Sequence, residues 1–207
     1  MFLTKKEQEL IDSTVFKRTV SKGTIIHNGG NDCLGLTLVK NGQLRAYMHS
    51  EDGREITLFR LFEHDICLFS ATCTMQSIQF DIIISAEKDS ELIIIPTNTY
   101  KELSNTSLAL VTYANEIMST HFTDIMWLFE QIMWKSFDKR LASFLLEEVN
   151  LENTTKLTIT HEIIANHLGT AREVVTRMLK YFQTEGYIKL SRGCIEIIDT
   201  DGLNSII

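Results

Sequence analysis

The sequence predicts an α+β protein of two domains, because its pattern changes character twice along the chain. Short apolar runs separated by turn dipeptides extend to about residue 96. An apolar repeat in steps of three and four follows, and two helical segments then precede two short strands. The chain has 207 residues, 44% of them hydrophobic, which is enough for a sizeable core in each domain.

The composition limits the class of protein. The net charge of −7 argues against nucleic-acid binding over the whole surface but allows a local basic patch. No apolar run approaches the roughly 18 residues that span a bilayer, and the N-terminus lacks the apolar region of a signal peptide. We therefore expect a cytoplasmic protein without a membrane partner, whose four cysteines are free thiols.

The N-terminal part, about residues 16–96, is predicted to be a β-sandwich, barrel or jelly roll. Tight turns that need positive φ values are indicated by Asn28-Gly29-Gly30, Asn41-Gly42 and Asp52-Gly53. They separate six apolar runs, at residues 23–26, 36–39, 44–47, 56–59, 82–84 and 92–95. Several short strands at this spacing are typical of such folds.

A long helix is predicted over residues 106–132, after a short one that begins at Pro96 and Thr97. Its apolar positions alternate in steps of three and four, which is the spacing of a coiled-coil seam. We expect this helix to pack on its own domain and on a second copy of the chain; a helix buried within one domain is the alternative. The predicted dimer seam consists of Val111, Ala114, Met118, His121, Ile125, Leu128 and Ile132.

The C-terminal segment predicts a winged helix-turn-helix after a helix over 137–149. Thr160 is a good N-cap for a helix that runs to Leu168, and Gly169 suits the left-handed residue that ends it. Thr170 is then predicted to cap a second helix, 170–184. Two strands, 187–190 and 194–198, follow as a β-wing.

The outward face of the second helix has the chemistry of DNA recognition. Residues 170–192 carry five basic and two acidic side chains, a local charge of +3 in an acidic protein. Arg172 and Arg177 suit guanine, and Glu173 can accept from cytosine; a merely solvated charged face is the alternative. The candidate DNA contacts are Thr160, Thr170, Arg172, Glu173, Thr176, Arg177, Lys180, Lys189 and Arg192.

On these residues the chain resembles the Crp/Fnr family of transcription regulators over nearly its whole length. The similar segments are 23–30, 38–42 and 52–56 in the β-rich part and 168–177 in the second helix. The resemblance implies a double-stranded β-helix (jelly-roll) effector domain with a dimerisation helix, residues 1–134, and a winged helix-turn-helix domain, residues 135–207. It further implies a homodimer that reads a palindromic TGTGA-like site, is not an enzyme, and contacts RNA polymerase if it is an activator. An effector is expected to change the pairing of the long helices through a hinge at residues 134–137.

The family's cyclic-nucleotide cassette is not reproduced. Members that bind cyclic AMP hold the ribose with a Gly-Glu pair and the phosphate with an Arg-Ser pair. Here Leu68-Phe69 and Phe80-Asp81 align with those pairs, and no Arg or Lys occurs from Leu61 to Glu87. Cyclic AMP is therefore not expected. The candidate effector pocket comprises Cys67, Leu68, Phe69, Phe80 and Asp81.

Other effectors stay open. His64, Cys67 and Cys73 are soft ligands for a haem or a metal, or the two cysteines could form a redox switch, although buried structural thiols are the simpler interpretation. No Cys precedes Cys33, so the N-terminal iron–sulfur arrangement of oxygen-sensing relatives is absent from this sequence. A small apolar ligand, or a constitutive regulator with an empty β-roll, is also compatible. A cupin-like metalloenzyme is the weakest alternative, because its histidines would need a more compact spacing than the sequence offers.

Overall fold

The computed structural model describes residues 3–29, 34–69 and 81–207. The chain forms two compact units. The first comprises Met1–Met48 and Leu58–Met126, and the second comprises His49–Thr57 and Trp127–Ile207. No helix in the described ranges is long and apolar enough to cross a membrane.

The first unit is built on two four-stranded antiparallel sheets. In one the order is β1-β8-β3-β6, and in the other it is β2-β7-β4-β5. All six apolar runs of the sequence form strands, as predicted. The strands are β1 Phe16–Val20, β2 Ile25–Asn28, β3 Leu36–Asn41, β4 Leu44–His49, β5 Glu55–Leu61, β6 Ile66–Cys67, β7 Ile83–Ala86 and β8 Ser90–Ile95.

The predicted turns at Gly42 and Gly53 differ in the strands that they connect. Gly53 has a φ of 76° and turns the chain between β4 and β5, which are neighbours in one sheet. Gly42 has a φ of 99°, but the strands on either side of it belong to different sheets. A Cβ at Gly42 would lie 2.6 Å from the Asp89 carbonyl oxygen, so this crossing also requires glycine for space. The Asn41-Gly42 turn thus carries the chain from one sheet to the other.

One apolar core joins the two sheets. Val39, Leu92 and Ile94 of the first sheet and Leu44 and Ile84 of the second are fully buried in the same cluster. Strand β4 is buried over four consecutive residues, Leu44–Tyr47, which fits a strand that the sequence marks as a short apolar run bounded by turn residues. The double-sheet β-roll predicted for this region is therefore confirmed.

Helices complete the first unit. They are α1 Lys5–Thr14, α2 Thr97–Thr106 and the start of α3 Leu108–Trp134. A second apolar cluster holds them together, with Tyr100 and Leu103 of α2 against Leu36, Leu68 and Leu110.

The second unit combines the end of α3 with the C-terminal elements. These are α4 Phe137–Glu152, β9 Lys156–Leu157, α5 His161–Leu168, α6 Arg172–Thr184, β10 Ile188–Ser191, β11 Cys194–Ile197 and α7 Thr200–Ile206. The three strands form one sheet in the order β10-β11-β9. Leu141, Leu145, Leu179 and Phe182 are fully buried in the core of this unit.

Candidate DNA-binding site

The first helix of the predicted helix-turn-helix has the expected ends. The Thr160 hydroxyl accepts a hydrogen bond from the Ile163 amide at 3.2 Å and so caps α5. Gly169 ends the helix in the left-handed conformation, with φ 66° and ψ 40°. Both predictions made from the sequence are confirmed.

The start of α6 differs from the prediction. The N-cap is Ala171, with φ −83° and ψ 145°, and no side chain caps the helix. Thr170 belongs instead to the turn, where its amide donates to the Ala165 carbonyl at 3.1 Å. The prediction of Thr170 as N-cap is wrong by one residue, because the turn after Gly169 takes up Thr170 to satisfy the end of α5.

Buried residues fix α6 in place. Ala165 of α5 and Val175 of α6 are both buried in the shared core, and a small residue at 165 lets the helices approach closely. The guanidinium of Arg140 on α4 donates to the Leu168 carbonyl at 3.2 Å and satisfies the end of α5. Burial of this guanidinium lowers the pKa of Arg140. The recognition helix therefore projects from a rigid support.

A charged concave face lies on the outside of α6. Three of its members, Arg172, Arg177 and Lys180, are exposed cations, and Glu173 is an exposed acid among them. The arrangement offers guanidinium forks, one carboxylate and a lysine within three helical turns. The residues that line this face are Arg172, Glu173, Thr176, Arg177 and Lys180.

The Thr176 hydroxyl is engaged within the protein. It donates to the Arg172 carbonyl at 2.9 Å and lies 2.8 Å from Nδ1 of His161, the first residue of α5. Sequence reasoning missed His161. Its position directly after the N-cap Thr160 was the available signal, since the first residues of such a helix lie beside the recognition helix.

The wing is formed by β10 and β11 around Gly193, whose φ is 73°. Lys189 and Arg192, two of the candidate DNA contacts, are exposed on it. The Gln183 side chain of α6 accepts from the Leu190 amide at 3.3 Å and ties the wing to the recognition helix. The added strand β9 pairs with β11 through Leu157 and was not predicted.

The candidate effector residues divide between core and surface. Cys67 and Phe69 are buried in the β-roll core, and Leu68 is buried in the cluster that includes α2. Asp81 is exposed, and a Cβ at Gly29 would lie 2.8 Å from the Cβ of Asp81. Phe80 and Cys73 lie outside the described residues.

A metal site is not assembled within the described ranges. There, no three His, Cys, Asp or Glu side chains lie close enough to hold an ion. His64 is exposed in a turn with φ 75°, whereas Cys67 is completely buried. The possible partner of both, Cys73, is outside the described residues.

The predicted seam of α3 is partly used by the chain itself. Met118 packs against both apolar clusters of the first unit, and Ala114 packs against one of them. His121 is only 7% exposed, and its ring stacks on Phe59 with centroids 4.0 Å apart. From Phe122 onwards α3 leaves large apolar side chains exposed, Ile132 of the predicted seam among them: Phe122, Met126, Trp127, Phe129, Ile132, Met133 and Trp134.

Known proteins are similar to this chain in sequence and in fold. A model of the Crp-like helix-turn-helix domain matches residues 139–206. A solved transcriptional regulator of the Crp/Fnr family from Eubacterium rectale is 58% identical, covers 99% of this chain and 94% of its own, and superposes with a TM-score of 0.97. The electron transport regulator A of Shewanella oneidensis is 28% identical, with 98% of this chain and 83% of that protein aligned. The c-di-GMP responsive regulator CLP of Xanthomonas campestris, 18% identical with a TM-score of 0.77 over 94% of this chain and 99% of that one, shows the fold alone.

A β-roll, a long helix and a winged helix-turn-helix with a basic recognition face define a DNA-binding transcription regulator. The chain belongs to the Crp/Fnr family. Members of this family are regulators of transcription and not enzymes, and they bind DNA as dimers.

Proposed function

We propose that two copies of this chain bind a palindromic operator with TGTGA-like half-sites, each inserting α6 into a major groove. The exposed face of Arg172, Glu173 and Arg177 carries this proposal, because these three side chains can read base edges at one end of a well-supported helix. The chromosome is then the partner, and the cytoplasm is the place of action.

Five further candidate residues are assigned to the DNA backbone, and Thr176 is left out because its hydroxyl is engaged within the protein. Lys180 lies two turns along α6 from Arg172, and Lys189 and Arg192 lie on the wing. These positions suit phosphates, which carry no base information but orient the protein on the duplex. Thr160 and Thr170 flank α5 and have the same role in the proposal.

The exposed stripe of α3 supports the proposed dimer. Phe122, Met126, Phe129 and Met133 recur in steps of four, three and four, so they share one face of the helix. Phe122 is 65% exposed and Phe129 55% exposed, which is unfavourable in water for aromatic side chains. We place the partner helix on this stripe, with Ile125, Leu128 and Ile132 of the predicted seam beside it. Two-fold symmetry then places the half-sites about 34 Å apart.

Regulation is proposed to act through α3, with the hinge at residues 134–137 that separates it from α4. Cys67, Leu68 and Phe69 are buried apolar groups, which supports an effector other than cyclic AMP. We propose a small apolar ligand rather than a phosphate, because no Arg or Lys occurs from Leu61 to Glu87. Contact with RNA polymerase is proposed only for the case that this regulator activates transcription.

Paired substitutions test the DNA assignment. On a palindrome recovered by selection from random duplexes, Arg172→Ala is expected to cost about 1–3 kcal/mol and to relax the preference at one base pair. Lys180→Ala is the matched control: it should weaken all sequences alike and reduce the slope of log K against log salt by about one unit. Wild-type affinity and specificity of Arg172→Ala would contradict the proposed docking.

A further inference from the structure

The hydrogen bonds around His161 favour a proton on one of its two ring nitrogens. The Thr176 hydroxyl has one proton, and it donates that proton to the Arg172 carbonyl. With that proton so placed, its oxygen accepts from Nδ1 of His161, 2.8 Å away. Nδ1 carries hydrogen in both the neutral and the charged imidazole, so Nε2 is the atom that gains or loses the titrating proton.

Nε2 is available for a ligand. No described residue forms a hydrogen bond with it, and His161 is only half-buried. In the neutral ring Nε2 presents a lone pair, whereas in the charged ring it presents an N–H. The same bond to Thr176 is kept in both states, so protonation requires no rearrangement of the two helices.

Burial and one neighbouring charge both favour the neutral ring of His161 in the free protein. Partial burial, and then the Arg172 guanidinium of α6, lower the pKa of His161 below its ordinary value. On its own helix the nearest charged neighbour in sequence is Glu162, which is exposed. An anion placed beside the ring would favour the charged imidazole and so oppose this lowering.

We propose that His161 is a phosphate-binding residue of the DNA interface and that its Nε2 takes up one proton from solvent as the complex forms. Thr160, which directly precedes His161 and is already assigned to a phosphate, would bring that phosphate close to Nε2. A lone pair would repel the phosphate oxygen, whereas the N–H of an imidazolium donates a charge-assisted hydrogen bond to it. This inference rests on the proposed function, and it adds a further residue and a proton to the interface.

The consequence is an affinity that depends on pH. Between the pKa of His161 in the free protein and its higher value in the complex, binding is linked to uptake of up to one proton per chain. For each half-site the dissociation constant should therefore rise by up to about tenfold per pH unit as the pH increases through that interval. This effect of pH on the affinity should be the same for every base sequence, because phosphates carry no base information.

The experiment measures binding of a fluorescent duplex that carries the palindrome recovered by selection, and of its scrambled counterpart. Anisotropy titrations run from pH 6.0 to 8.5 at fixed ionic strength with wild type, His161→Gln and His161→Arg. We expect weaker binding by wild type as pH rises, on both duplexes. His161→Gln, which does not titrate, should lose this component, and His161→Arg should keep the tight binding of low pH at every pH.

Two controls separate the possible outcomes. His49→Gln removes an exposed histidine from the end of β4. The DNA affinity of this variant should depend on pH as that of wild type does. Thr176→Val removes the oxygen that orients the ring and should reduce the pH dependence without removing the charge. If His161→Gln keeps the wild-type pH dependence, the inference is wrong while sequence-specific binding stands. If wild type binds neither duplex at any pH, the proposed function itself fails.

Discussion

Replacing His121 by Phe should stabilise the first unit. His121 stacks on Phe59 at an interplanar angle of 14°, a geometry that a phenyl ring reproduces. Within the described residues, neither ring nitrogen has a partner at hydrogen-bonding geometry; the Asp124 carboxylate lies 3.5 Å from Nδ1. A buried polar group left unsatisfied costs about 1–3 kcal/mol, and the extra ring atom costs up to about 1 kcal/mol in packing. We expect a net gain of about 1–2 kcal/mol at pH 7.

The same substitution should remove a loss of stability in acid. Burial lowers the pKa of His121, against the weaker opposite effects of Asp124, Asp65 and the Ile66 backbone. The pKa of such a histidine is about 6.5 in the unfolded chain and lower in the folded protein. The free energy of unfolding is therefore highest above about pH 6.5 and falls as the pH drops through the lower, folded pKa. The advantage of His121→Phe over wild type should therefore widen between pH 7 and pH 5.

Urea unfolding followed by circular dichroism at pH 5.0, 6.0 and 7.5 measures both effects. His121→Leu provides a second apolar variant with a different shape, and His49→Gln is the control for an exposed histidine. A variant that is less stable than wild type at pH 7.5, and that loses as much stability as wild type on acidification, would refute the assignment of His121 as an unsatisfied buried base.

Three further predictions concern the fold and the dimer. Gly169→Ala should destabilise the second unit by about 1–2 kcal/mol in urea unfolding, because φ is 66° there, and Gly169→Asn should cost less; equal stability of Gly169→Ala and wild type would contradict this. Phe182→Ala should cost about 3–5 kcal/mol by the same measurement, since Phe182 is fully buried in that core; a cost below 1 kcal/mol would show that the core is misplaced. Phe129→Glu should shift the dimer towards monomer in analytical ultracentrifugation, whereas Thr120→Glu, exposed on the far side of α3, should not; an unchanged dimer in Phe129→Glu would exclude the stripe from the interface.

Elements whose signals are local were predictable from the sequence. The ends of α5 follow from Thr160 and Gly169, each of which acts within a few residues of itself. A comparable local signal marks the start of α1. Thr4 and Glu7 form a reciprocal capping box, with the Thr4 amide 2.6 Å from the Glu7 carboxylate.

Features that depend on distant contacts were not predictable. The strand β9 has only two residues and exists because Leu157 pairs with Ile195. His121 matched the apolar spacing of a seam, yet its surroundings depend on Phe59, which is 62 positions away in the sequence. The role of His161 depends on a hydroxyl contributed by the next helix. Spacing along one helix identifies a face but not what covers it.

A native mass spectrum of the protein mixed with duplex DNA tests the central claim most directly. One sample contains the palindrome recovered by selection, and the other contains a duplex with only one half-site. The proposed mode of binding predicts two chains on one palindrome, with a complex on the half-site duplex that is far weaker. One chain per palindrome, or equal complexes on both duplexes, would contradict a dimer that reads two symmetric half-sites.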